Sequence, residues 1–342
     1  MNTAQETAAI DEKKVIKKYS STFAVISFSL IGAYIITYVA SNLLSKWINE
    51  LYLAGQINLP VSTLNALLGY LPMYILCFPL IFLILSRIEK TEIQNNKLSP
   101  KQFFIYLSAC FPMLFTGSLI GNMLSKLLSH GTSENKLESL LSHLDPVVII
   151  ITVIVAPIFE ELVFRRCIIS RTVRFGEKTA VIFSAFAFGI FHMNLYQFFY
   201  AFGIGLILGY IYLRTGKIIY SITMHIIINS LSSILVPFLM EKSQYTEFVN
   251  QIAARDFQTA LSSERIIWIA LYMCYSFLFF GMVCFGTAMI ISKRKQLVFR
   301  SRPGELKTSQ GVALSLFNVG SIVFIIASVF FFITSLFSLK LF

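Results

Sequence analysis

Apolar runs of about twenty residues alternate with short polar stretches along almost the whole chain. A helix needs roughly 20 mainly apolar residues to cross the hydrocarbon core of a bilayer. Nine runs qualify, near 22–44, 64–86, 102–125, 147–165, 180–195, 197–213, 218–239, 266–291 and 311–339. The pattern predicts an all-α fold, a polytopic membrane helix bundle of about nine transmembrane helices. The fifth and sixth runs are short and almost contiguous, which predicts a tight helical hairpin. The first run follows a polar segment over 1–21; it is too long for a signal-peptide core and lacks a small-residue cleavage pattern. It reads as an uncleaved first span. The chain divides accordingly into that polar segment, transmembrane helices over 22–144, a central segment over 145–240, and a final pair of spans with their loops over 241–342.

Composition excludes a water-soluble reading. Hydrophobic residues make up 56% of the 342 and charged residues 13%, with mean hydropathy +0.74, too little polar surface to cover a globule in water. The net charge of +11 does not point to nucleic acid, because the basic residues sit in small clusters between apolar runs. With the N-terminus in the cytoplasm, 21 Lys and Arg fall in inner segments and 7 in outer ones. That alternation is what the positive-inside rule expects, and it places the C-terminus outside. The expected location is a cell membrane, multi-pass, and the Ile- and Lys-rich composition points to a bacterial cytoplasmic membrane. In the first long outer loop Leu137, Leu140, Leu141 and Leu144 recur at helical spacing, which predicts a short surface helix. The last inner loop, from Lys293 to Lys307, is basic and is expected to face anionic lipid. The five cysteines show no CxxC pair or metal-ligand spacing and read as small apolar residues.

Polar chemistry inside the spans is confined to the centre of the chain. The acids within the runs are Glu160 and Glu161 in the fourth; the histidines are His192 in the fifth and His225 in the seventh. Ionisable groups at bilayer depth are costly unless they face a partner or a wet cavity, so they mark functional sites by default. Counted along the helices, His225 lies about 12 Å from Lys217 and His192 about 21 Å from Lys178. Glu160 lies roughly 8 Å from Arg165, or about 16 Å from Arg171. The groups can share one pocket only if Arg165 is drawn inward, and Glu161, four residues before it, is placed to pair with it. The alternative for Arg165 is an ordinary snorkelling anchor. Asn229 follows His225 by four and Phe188 precedes His192 by four, each on the histidine's helix face; Asn229 reads as a site residue or as helix–helix glue. Gly205 and Gly209 in the sixth run predict close helix packing.

These residues form three ordered motifs: Glu160-Glu161-Leu-Val-Phe-Arg165 as EExxxR, Phe188-Gly-Ile-Phe-His192 as FxxxH, and His225-Ile-Ile-Ile-Asn229 as HxxxN. The trio resembles the signature of the CAAX protease and bacteriocin-processing (CPBP, or Abi) family, which includes type II CAAX prenyl endopeptidases. The resemblance covers about residues 145–240. It implies a catalytic core there, an intramembrane endopeptidase whose site opens toward the cytoplasm. By that resemblance Glu160 is the base that activates water, His192 assists the water or the carbonyl, and His225 and Asn229 stabilise the oxyanion. Glu161 and Arg165 position the first motif, with Phe188 in support. The implied partners are the lipid bilayer and a peptide or membrane-protein substrate in peptide maturation, bacteriocin immunity or signalling.

Other readings bear on the same residues. Two histidines and a glutamate are a His₂Glu set of the kind that holds catalytic zinc. The histidines come from separate helices without HExxH spacing, and Asn229 suits an oxyanion better than zinc. The residues therefore favour no cofactor, with zinc on Glu160, His192 and His225 as the alternative. Ser184 and Ser221 lack a GxSxG setting, against a serine protease. A silent scaffold binding a cell-envelope partner is the alternative outside enzymology, and the last two spans are where a membrane partner protein would be recruited. A proton-relay transporter would be expected to show internal repeats, which are not evident.

Overall fold

A computed structural model describes the backbone of residues 3–135, 144–260, 263–302 and 305–337. Among these residues the regular structure is entirely helical. Helix α1 spans Thr3–Leu53. Helix α2 joins Val61–Pro72, a wide π turn Met73–Cys77 and Phe78–Leu85 in one rod, and α3 spans Pro100–Leu128. Helix α4 runs over Pro146–Phe175 and contains π turns at Ile151–Val155 and Leu162–Ile169. Helices α5 (Glu177–Phe191) and α6 (Leu195–Thr215) form the expected hairpin, and α7 covers Ile218–Ser243 with a π turn at Leu231–Leu235. The remainder is α8 (Tyr245–Ala253), α9 (Ser263–Lys293), α10 (Thr308–Leu316) and α11 (Val319–Leu336).

Among the described residues eight helices are long and apolar enough to cross a membrane, against the nine expected. The difference is α5. Its 15 residues extend about 22 Å, short of the roughly 30 Å hydrocarbon core. The physical reason is burial: Ala180, Val181, Phe183, Ser184, Ala185, Ala187 and Phe188 are all inside the protein. A helix wrapped by its neighbours need not match the lipid, although its hydropathy looks like that of one that does. It stops where Met193 takes a left-handed conformation (φ 50°) and Asn194 caps α6 by accepting from the Tyr196 amide.

Helix α6 is the central rod, packed between α3 and α5. Added Cβ atoms at Gly205 and Gly209 would sit 3.0 Å from Ala185 Cα and 3.3 Å from Val181 Cγ1, so the paired glycines do set the α5–α6 approach. Helices α1 and α11 pack together on one side, and α9 lies on the outside of α3. From Thr3 onward α1 is continuous through the polar segment and into the first apolar run. Tyr19 is fully buried, donating its O–H to the Phe175 carbonyl at 3.1 Å and stacking with Phe23 and Phe175. The surface helix expected near Leu137, Leu140 and Leu141 lies outside the described residues.

The bundle has two chemically distinct ends. At one, Glu177 accepts from the Arg300 amide at 2.7 Å and from Arg302 Nη2 at 3.2 Å, and also pairs with Arg214. Arg300 Nη1 reaches Gln94 at 2.8 Å, Arg174 pairs with Glu89 at 2.8 Å, and Arg171 donates to the Leu85 carbonyl. The loop expected to face anionic lipid is thus fastened in part to the protein: its Val298 amide donates to Tyr210 O–H, and Phe299 packs on the Tyr210 ring at 5.3 Å. At the other end Thr63 bonds Asp145, Tyr196 bonds Ser133, and Arg265 bonds Gln244 and Gln251. The helix ends and loops that meet at the first end are the inner ones of the charge alternation, and those at the second are the outer ones.

Candidate active site

Adjacent positions on an α-helix point about 100° apart, so Glu160 and Glu161 cannot share a face. Glu161 turns into the protein, with no exposed side-chain area, while Glu160 keeps 18%. Glu161 Oε2 meets Arg165 Nε at 3.1 Å, one turn on, and Oε1 accepts from His225 Nδ1 at 3.0 Å. Arg165 is fully buried beside Glu161, so it does not snorkel to the interface as an ordinary anchor would. Its contact with Glu161 is an ion pair without a well-aligned hydrogen bond, and Nη1 and Nη2 have no partner among the described residues. The guanidinium instead lies 4.3 Å over the Phe188 ring, a cation–π contact strengthened by desolvation.

Phe188 is a shared platform. Its ring meets His192 edge-on at 4.8 Å and His225 at 5.8 Å, so the FxxxH phenylalanine orients both histidines and the arginine. His192 turns Nδ1 to the Phe188 carbonyl at 2.8 Å; a carbonyl only accepts, so the proton sits on Nδ1 and Nε2 is left unprotonated in the neutral ring. With Nδ1 of His225 held by Glu161, its Nε2 lies 3.7 Å from Glu160 Oε2. Asn229 donates from Nδ2 to the Thr152 carbonyl at 2.9 Å. Thr152 lies in the π turn Ile151–Val155, where a widened turn alters the backbone pairing and can leave a carbonyl for a side chain. Asn229 therefore does tie α7 to α4, and its second N–H and carbonyl oxygen remain for other partners.

Glu160, His192, His225 and Asn229 line one cavity of about 710 Å³. The sequence brought these four together in expectation, and the fold does so in space. Tyr34, Tyr70 and Tyr200 line it as well; they were not singled out, although phenols inside predicted spans are a signal of a polar wall. A neighbouring apolar cavity of about 440 Å³, floored by Cys110 and walled by Phe115 and Phe280, shares Leu114, Ile228 and Val236 with it. The main cavity runs away from the arginine-rich end to Asn135, Gln197, Met240 and Glu241. Among the described residues no three His, Cys, Asp or Glu side chains form a ready-made group that could hold a metal ion.

Comparison with known proteins bears on the same segment. Residues 142–231 match the family described as type II CAAX prenyl endopeptidase Rce1-like. The chain is 27% identical over 165 residues to the "Putative membrane peptidase YdiL" of Bacillus subtilis (strain 168), a stretch that covers 46% of this chain and 66%, just under two thirds, of that relative. No solved structure matches. The matched segment contains all three motifs and the helices that carry them, so the similarity of this multi-pass membrane protein to type II CAAX prenyl endopeptidases lies in the centre of the chain.

Proposed function

We propose that the protein is an intramembrane endopeptidase that cleaves a membrane-associated peptide or protein with water activated by Glu160. The observation that carries this is the juxtaposition of Glu160 and His225 Nε2 at 3.7 Å on a cavity wall, with Glu161 holding the histidine from behind. A water between them loses a proton to Glu160 as its oxygen bonds to the scissile carbonyl carbon. His192, with its proton committed to the Phe188 carbonyl, offers Nε2 to steady that water. His225, its Nδ1 held by Glu161, presents Nε2 to the reacting centre, and the second N–H of Asn229 donates to the oxyanion. Collapse of the intermediate expels the amine, which takes the proton that Glu160 received. Donors fixed in a site poor in water are worth more than the same donors in bulk solvent, because they need not reorganise.

The test compares the membrane-associated peptidomes of cells carrying the wild-type chain and Glu160→Gln. Removing the base is expected to lower the products by about a hundredfold or more while protein abundance is unchanged. Unchanged peptides would leave the silent scaffold as the function. Activity of the purified chain is expected to persist after exhaustive chelation, and loss restored by Zn²⁺ would replace the metal-free scheme.

A further inference from the structure

The catalytic cavity is closed toward the arginine-rich end by three successive layers. The first is its own floor: Glu161 and Arg165 are both fully buried, and Phe188 caps them. Beneath lies solid apolar packing from Ile169, Val173, Val181 and Leu213. The last is the clasp in which Glu177, itself 2% exposed, ties the end of α6 to the loop that follows α9. A peptide approaching from this end would have to break a buried ion pair, a packed core and the clasp.

The opposite end is different. Gln197 at the start of α6, Met240 and Glu241 near the end of α7, and Asn135 after α3 all border the cavity. Met240 and Glu241 lie about four turns beyond His225 on α7, away from Lys217, and among the described residues none of the arginine-rich loops borders the cavity. Gln197 and Glu241 give this mouth a polar rim, whereas a lipid-facing opening would be apolar.

We propose that this mouth faces the outside of the cell, so that the substrate is a polypeptide segment presented from the extracytoplasmic side: an exported or membrane-anchored chain rather than a cytosolic C-terminal tail. The orientation rests on 21 of 28 Lys and Arg falling in the loops of the closed end, or packed just beneath it, which the positive-inside rule assigns to the cytoplasm. The substrate class rests on the peptidase reading above; the direction of the mouth does not.

Single cysteines test the direction. Gln197→Cys, Glu241→Cys and Met240→Cys mark the mouth and Lys97→Cys marks the closed end, with wild type as the blank for the exposed Cys274 and Cys284. With a membrane-impermeant maleimide, the mouth cysteines are expected to react in intact cells, and Lys97→Cys only in inverted membrane vesicles. Three positions guard against one variant that does not fold, as judged by its abundance in membranes. Mouth cysteines that react only in inverted vesicles, or in neither preparation, overturn the proposal. In the same intact cells, the adduct on Gln197→Cys should lower the Glu160-dependent peptides at least tenfold, while treated Lys97→Cys cells match wild type. Peptides that persist after full modification of the mouth overturn the route. If Glu160→Gln leaves the peptidome unchanged, the peptidase reading fails while the labelling still reports the mouth.

Discussion

Two glutamates in this protein gather basic side chains around a buried carboxylate, in different surroundings. Glu161, halfway along α4, holds Arg165 and His225, and all three side chains are at most 8% exposed. Glu177, at the start of α5, holds Arg214 and Arg302, whose side chains are 17% and 29% exposed. The first cluster has almost no solvent to share, and a second carboxylate, Glu160, stands beside it on the cavity wall, 3.7 Å from the histidine that Glu161 holds. The second cluster can fall back on solvent. Its three bonds join segments far apart in sequence, and it works as a staple across the closed end. The difference teaches that the same grouping of a carboxylate with basic side chains can line a cavity or fasten a surface; depth and an adjoining void separate the two.

The comparison can be broken most severely at Glu161. Glu161→Ala should destabilise the protein by about 3–5 kcal/mol, because it strands a buried guanidinium. A sharp loss of monodisperse protein on size exclusion in detergent is the readout. Adding Arg165→Met to the same chain should recover much of the folded material without restoring turnover; recovery of activity would mean that the ion pair serves packing alone. A smaller effect is expected at the staple. Glu177→Gln keeps the shape and removes the charge, and should cost about 1–3 kcal/mol as charge-assisted bonds weaken. Thermal unfolding should register it, with activity per folded molecule unchanged. The least effect belongs to the exposed pair of Arg174 with Glu89, whose carboxylate is 78% exposed: Glu89→Gln should shift stability by no more than about 1 kcal/mol. A shift as large as that of Glu177→Gln would show the closed end to be one cooperative network.

Much of this protein could be read along the chain because the bilayer is a strict solvent. Runs near twenty residues and basic loops were enough to outline an all-helical multi-pass bundle, since lipid admits little else. Glu160, Glu161, His192 and His225 stood out for the same reason: an ionisable group in a span is costly enough to need a cause. The α5–α6 hairpin and its glycine contacts were legible from a short apolar run and two small residues four apart.

What stayed hidden depends on distances between helices. Hydropathy cannot separate a residue shielded by lipid from one shielded by protein, so α5 looked like a full-length lipid-facing span although it has only 15 residues and its neighbours bury it. Arg165 had two placements equally consistent with its spacing, and only the packing of Phe188 and Glu161 around it selected one. The bond from Asn229 to the Thr152 carbonyl needed a π turn that no local pattern announced. Glu177 was one acid among inner-loop residues until Arg214 and a loop more than a hundred residues away closed on it. The direction of the cavity was beyond the sequence for the same reason. Which residues are polar and how deep they lie along their own helices follow from the chain, but where a void opens follows from how helices from distant parts of it fail to fill space.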